Sequence, residues 1–213
     1  MATKYFITLV IISLVTLTNA SVETVNGKIK ITVGTTSACS DTVNFLPKLG
    51  SVYEEFKEFL EVEFVPWGRT QVRDRNLVCQ FGVNDCWANR YQRCALNLLK
   101  GDQDGAVKFM RCEFSRPMQG FTFRSYKCAV EVGLDLEEVY ECVVTAKGDA
   151  LDAPAREAAM VPMKIINFVP SIVFNDVIDV DNHFKGFRGL REVVCQALAN
   201  DPTTAITDCN DED

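Results

Sequence analysis

The sequence predicts an α/β domain whose small sheet is drawn from both ends of the chain and interrupted once by a disulfide-stapled, mainly helical insertion. Three observations carry that prediction. Ile29, Ile31 and Val33 alternate with Lys30 and Thr32, the period of a short strand, and a helix pattern and the β run Val62 to Val65 follow. From about residue 70 to 160 the apolar spacing turns helical and cysteines become dense. Asn167 to Phe174 then returns to β character ahead of a last amphipathic helix.

The first twenty residues read as a secretory signal peptide. Lys4 gives a basic start, Tyr5 to Leu17 a mostly apolar run, and Thr18-Asn19-Ala20 a small-residue cleavage site. The run is shorter than the ~20 residues a membrane span needs, and no second run follows, so no span is expected. Residues 21–213 then form one secreted or lumenal domain. Only Lys4 is charged in the leader, so the remainder holds 21 basic against 29 acidic residues, a net charge of −8. That balance argues against nucleic acid and anionic membrane as partners.

The stretch from Lys28 to Leu46 organises the rest. After the first strand, the small-residue loop Gly34 to Ser37 delivers Cys39 to the start of a helix that turns Val43, Leu46, Leu49 and Tyr53 inward. A thiol there sits beside unpaired backbone N–H groups and the positive end of the helix dipole, which favour thiolate. Strand, loop, Cys and helix in that order is the layout of a thioredoxin-type redox site, whose usual second Cys lies three positions on. That position is Thr42.

Val52, Phe56, Phe59 and Leu60 extend the helix to about Leu60, with a kink or break expected at Pro47 and Gly50. Val62 to Val65 is a strand stopped by Pro66. In the insertion, Tyr91, Ala95, Leu98 and Leu99 form one helical face and Leu136, Val139, Tyr140, Val143 and Val144 another, opened by Asp135. Asn175-Asp176 between Ser171–Phe174 and Val177–Val180 suggests a hairpin. Phe187, Leu190, Val193, Val194, Ala197 and Leu198 close the chain as a helix.

Nine cysteines behind a signal peptide imply a disulfide framework with one thiol over. Cys39 is the candidate for the odd one, because Cys79, Cys86, Cys94, Cys112, Cys128, Cys142, Cys195 and Cys209 lie together downstream. Those eight allow 105 pairings; only Cys195 with Cys209, stapling the last helix to the tail, is assigned. The sequon Asn19-Ala20-Ser21 straddles the cleavage site, so no N-glycan is expected on the mature chain.

The densest motif is Cys79-Gln80-Phe81-Gly82-Val83-Asn84-Asp85-Cys86-Trp87-Ala88-Asn89, closed by Cys94. It resembles the signature of the gamma-interferon-inducible lysosomal thiol reductase (GILT) family, C-Q-H-G-x-x-E-C-x-x-N-x-x-x-x-C. Cys79, Gln80, Gly82, Cys86, Asn89 and Cys94 match, six of the eight fixed positions. Val65-Pro66-Trp67-Gly68, Tyr140-Glu141-Cys142, Val169 to Asn175 and Val194-Cys195-Gln196 are similar to further family segments. The resemblance implies a thioredoxin-like fold, a cis bond before Pro170 facing Cys39, disulfide-bearing protein substrates, lysosomal or secreted residence and links to immunity.

Phe81 and Asp85 depart from the signature, and Cys39-Ser40-Asp41-Thr42 stands where the family has C-x-x-C. Thr42 cannot release a mixed disulfide formed at Cys39. Three readings of Cys39 stand: a monothiol enzyme resolved by an external thiol, an inert thiol that is capped or pairs two chains, and a structural half-cystine that leaves another Cys odd. The favoured function is a secreted GILT-like protein that has lost dithiol reductase activity and binds a protein or cell surface. The alternative is a monothiol oxidoreductase acting through Cys39 in an extracellular or endolysosomal setting. The chain is expected as a monomer, or a dimer if Cys39 pairs between chains.

No pattern asks for a cofactor, and the Cys spacings do not repeat a zinc motif, so no metal is expected. His183, the one histidine, reads as a surface-loop residue in Asp181-Asn182-His183. Phe121, Phe123 and Tyr126, interleaved with Arg124 and Lys127, read as partly buried core rather than an exposed strip. Glu54, Glu55, Glu58, Glu61 and Glu63 read as a solvated face, not as paired acid–base carboxylates.

Overall fold

A computed structural model describes residues 21–209; the leader, the sequon's Asn19 and the last four residues lie outside them. In chain order the elements are β1 (Ile29–Thr35), α1 (Ser40–Phe56), a 3-10 turn (Lys57–Phe59) and β2 (Leu60–Pro66). The hairpin β3 (Gln71–Arg73) and β4 (Asn76–Val78) comes next. Helices α2 (Val83–Leu98), α3 (Gln103–Glu113), α4 (Gln119–Phe123), α5 (Lys127–Glu131), α6 (Leu136–Val144), α7 (Ala146–Ala150) and α8 (Asp152–Ile165) follow. β5 (Ser171–Phe174) and α9 (Val180–Ala199) complete the described chain.

β1 is the central strand of a sheet ordered β2-β1-β5, parallel to β2 and antiparallel to β5. Its alternating Ile29, Ile31 and Val33 are fully buried. Lys30 reaches the rim, where it pairs with Glu63 at 3.1 Å and Asp176 at 2.8 Å. On one side α1 packs Phe45, Leu46, Leu49 and Val52 into the core. The fold is thus a thioredoxin-like α/β domain stapled by the disulfides Cys79–Cys86, Cys94–Cys142, Cys112–Cys128 and Cys195–Cys209.

Several local expectations are corrected. α1 runs unbroken through Pro47 to Phe56, because nine buried residues on its inner face offset the ~3 kcal/mol that an interior proline costs. Val177 to Val180 forms no strand. Asn175 and Asp176 turn the chain with φ of 49° and 61°, and Val177 makes only an isolated bridge to Phe174. Asp179 then accepts from the Asn182 N–H at 2.7 Å and caps α9, so a side-chain cap overrides the β-branched run.

The insertion is not wholly helical, since β3 and β4 pair through a two-residue turn at Asp74 and Arg75, both at positive φ. The predicted α6 face narrows to Val139, Cys142 and Val143, while Leu136, Tyr140 and Val144 are exposed. Asp135 caps that helix through the Glu137 and Glu138 N–H groups. Tyr126 packs tilted against Trp87 and edge-on against Tyr91, whereas Phe123 at the end of α4 is exposed.

Candidate functional site

Cys39 occupies the N-cap of α1, with φ −71° and ψ 118°. Its N–H donates to Thr36 O at 3.1 Å and its carbonyl receives the Val43 N–H at 3.0 Å, so the residue is tied into the first turn. The thiol is free, almost wholly buried, and donates to the carbonyl oxygen of Val169 at 3.2 Å. The Val169–Pro170 bond is cis. Two distant loops therefore meet at one sulfur, the end of β1 and the turn into β5.

Thr42 lies one turn along α1, fully buried, and among the described residues its hydroxyl has no hydrogen-bond partner. Every other cysteine is in a disulfide. Cys39 and Thr42 thus place one thiol and one hydroxyl three positions apart at the start of α1.

The loop that delivers Cys39 is held by α2. The buried Asp85 carboxylate accepts the Thr36 hydroxyl at 2.9 Å, the Ser37 N–H at 3.0 Å, the Phe81 N–H at 3.1 Å and the Asn89 amide at 2.9 Å. Asn89 Oδ1 in turn accepts both the N–H and the hydroxyl of Ser37. The Ser37 hydroxyl also reaches Gln92 Oε1 at 3.3 Å, and Gln92 donates to Glu113 at 3.3 Å. A carboxylate with four donors and a place in the first turn of a helix has its burial cost offset by hydrogen bonds and by the dipole.

This arrangement gives the signature residues distinct places. Cys79 and Cys86 close the approach to α2, and Gly82 stands at its N-cap with φ 82°, a conformation that favours glycine. Asn89 grips the Cys39 loop, Cys94 ties α2 to α6, and Gln80 and Phe81 point to solvent. Gly68 completes the cradle at φ 50°, where a Cβ would meet Thr36 Cβ at 2.6 Å.

Sequence reasoning missed Thr36, Ser37, Asp85, Gln92 and Glu113 as parts of this network. The usable signal was the polar spacing of Asp85, Asn89 and Gln92, which falls on the same inward face as Ala88, Tyr91 and Ala95. His183 is also corrected: it lies in α9, wholly buried, where Nδ1 accepts the Ile172 N–H at 3.2 Å and Nε2 has no partner among the described residues. Burial among Phe168, Phe184 and Phe187 pushes its pKa down to about 4. Burial likewise raises the Glu113 carboxyl to about 7, against the lowering effect of hydrogen bonds from Gln92 and Gly120.

Among the described residues no three His, Cys, Asp or Glu side chains gather as a metal site, and no helix is long and apolar enough to cross a membrane.

Residues 30–132, which hold β1, Cys39 and the whole α2 clamp, match the family model for gamma interferon inducible lysosomal thiol reductase (GILT). That span is just under half of the chain, and with the relatives below it supports a GILT-family member. It is 24% identical over 194 residues to a GILT-like protein of Anopheles gambiae, covering 84% of this chain and 80% of that one. It is 23% identical over 189 residues to GILT-like protein 1 of Drosophila melanogaster, covering 81% and 76%.

Solved structures extend the fold. A thioredoxin-like oxidoreductase from Silicibacter pomeroyi superposes with a TM-score of 0.53 at 15% identity, over 80% of this chain and 87% of that one. Chlamydia trachomatis DsbA gives 0.51 at 12% identity, over 81% and 91%. The family match and the GILT-like relatives support a thiol-oxidoreductase-related protein, and its four disulfides fit an extracellular or lysosomal lumen.

Proposed function

We propose that this GILT-family chain is secreted, has lost dithiol reductase activity, and acts by binding a protein. The observation that carries the reading is the pair formed by a free Cys39 and a buried Thr42 one helical turn away. Reduction of a substrate disulfide needs two electrons from the enzyme. One thiolate attacks the S–S bond, forms a mixed disulfide and expels a thiolate; a second enzyme thiol then attacks the mixed disulfide, and the enzyme leaves oxidised. A threonine hydroxyl supplies neither that nucleophile nor those electrons. The remaining eight cysteines are engaged as four disulfides, which supports the same conclusion.

The deciding experiment is insulin-disulfide reduction by the purified secreted chain, beside a GILT protein with an intact C-x-x-C. No turnover is expected. Reduction at a comparable rate that disappears in Cys39→Ser overturns the reading.

The free Cys39 thiol at the N-cap of α1 also supports a monothiol alternative. There Cys39 would hold one half of a mixed disulfide until an external low-molecular-weight thiol released it. Glutathione-dependent turnover between acid and neutral pH, lost in Cys39→Ser, selects that alternative.

A further inference from the structure

A groove of about 550 Å³ runs between the β3–β4 hairpin and α8 and ends at Asn167. Trp67 and Thr70 line one wall with β3, and Arg156, Met160 and Met163 of α8 line the other. Arg69 spans its end, donating to the side-chain and backbone oxygens of Asn167, both at 2.6 Å. Asn167 is two residues before Val169, whose carbonyl holds the Cys39 thiol, so the groove abuts the loop that covers the sulfur.

Its charge is opposite to that of the protein. The chain carries −7 overall, yet among the described residues the lining includes Arg69 and Arg156 and no carboxylate. Among the described residues neither guanidinium is ion-paired: Arg69 is spent on a neutral amide and carbonyl, and Arg156 is exposed with no partner. By contrast Arg90, Arg93 and Arg191 each meet a carboxylate. Val72 and Met160 are exposed beside the two arginines, offering an apolar surface that a flexible thioether adapts to different side chains. Among the described residues β3 pairs only with β4, which leaves its other edge open.

We infer that this groove docks an extended acidic segment of a partner protein, its carboxylates on Arg69 and Arg156 and an apolar side chain against Val72 and Met160. Planar guanidinium groups receive carboxylates bidentately, and the free edge of β3 supplies main-chain pairing. The inference names the partner chemistry for the binding reading given above.

The test uses the full secreted chain and a labelled peptide of about ten residues rich in Glu and Leu, followed by fluorescence anisotropy. Binding is expected, weakened about tenfold by Arg156→Glu and to a lesser degree by Arg156→Lys, which keeps the charge without the planar fork. A peptide with Lys for Glu, and one with Ser for Leu, should each bind at least about tenfold more weakly. Raising salt from about 50 to about 300 mM should weaken the Glu–Leu peptide severalfold. Circular dichroism of the Arg156 variants, which change an exposed helix position, should match the wild type.

No binding, equal affinity for the Lys peptide, or indifference to Arg156→Glu overturns the inference. So does preference for vesicles containing phosphatidylserine, or concentration-dependent self-association that Arg156→Glu abolishes. Peptide affinity should be unchanged in Cys39→Ser. Disulfide reduction by Cys39 would therefore defeat the non-enzymatic reading and leave the groove result standing, while peptide failure with no reduction would defeat the groove alone.

Discussion

Ser37 gives both its backbone N–H, at 3.0 Å, and its hydroxyl, at 2.6 Å, to the single amide oxygen of Asn89. The two residues are 52 positions apart, and the contact fastens the loop before Cys39 onto α2. The signature asparagine is therefore a positioning residue: it touches the loop and not the sulfur. With Asp85 it satisfies polar groups of Thr36 and Ser37 that burial would otherwise leave without water.

Asn89→Ala should thus cost about 1 to 3 kcal/mol in unfolding stability, since it leaves the Ser37 N–H and hydroxyl with only Asp85 and Gln92 as acceptors and takes the amide donor away from Thr36 and Asp85. Asp85→Ala should cost at least as much, because the Thr36, Ser37 and Phe81 donors all lose an acceptor. Urea unfolding gives the cost, and alkylation of Cys39 under native conditions reads the loop: both variants should label faster than wild type. Unchanged labelling would mean that the loop is held by other contacts.

Two buried titratable groups should cancel in the stability of this protein against pH. Glu113, raised from 4.5 to about 7 by burial, keeps its proton in the folded state after the unfolded chain has lost it, so stability falls as pH rises from about 4.5 to 7. His183, lowered from 6.5 to about 4, stays neutral in the fold when the unfolded chain is protonated, so stability falls as pH drops from 6.5 to about 4. Each slope is about 1.4 kcal/mol per pH unit with opposite sign. Between about 4.5 and 6.5 the wild type should be nearly flat with respect to this pair. Glu113→Gln should uncover a stability that rises with pH, and His183→Asn one that falls. Denaturant titrations at pH 5 and pH 6.5 check both, and parallel wild-type and mutant slopes would refute the cancellation.

The disulfide Cys94–Cys142 joins α2 to α6 and closes a loop of 48 residues. Replacing both cysteines by Ala should cost about 4 kcal/mol by the chain-entropy relation. The shorter Cys79–Cys86 loop, with a separation of 7, should cost less. Thermal melts of the two double variants give the comparison, and equal losses would indicate that native packing of the sulfurs, not loop closure, sets the cost.

The strand–loop–Cys–helix order was legible because period-two alternation at Ile29, Ile31 and Val33 and the helical spacing after Ser40 are local signals. The signature around Cys79 was legible as a pattern, but its purpose was not. Asp85 and Asn89 meet Thr36 and Ser37 only after the insertion folds back across about fifty residues, and no local period records that closure. His183 misled for a related reason: its polar neighbours Asp181 and Asn182 suggested a loop, while the Asp179 cap placed it on the inner side of α9 against Ile172. The hairpin at Asp74-Arg75 lacks the glycine that marks such turns, and Val177 to Val180 carried β-branched residues into a position that capping converted to helix.

Thr42→Cys tests whether the site keeps its capacity for redox chemistry. Thr42 faces the interior one turn from Cys39, and its hydroxyl is a buried group without a partner, so replacing it by a thiol removes an unsatisfied polar atom and adds little volume. The variant should fold with stability equal to or above wild type. Under mild oxidation it should lose the free Cys39 thiol as a disulfide forms between Cys39 and the introduced thiol, which alkylation and peptide mass mapping read directly. In its dithiol form it should reduce insulin, a gain absent from the wild type and from Thr42→Ser. A disulfide that forms without insulin reduction would mean that the surroundings of Cys39 at Val169 and Pro170 do not admit a substrate disulfide. Failure to form the bond at all would mean that the first turn of α1 holds the two side chains apart.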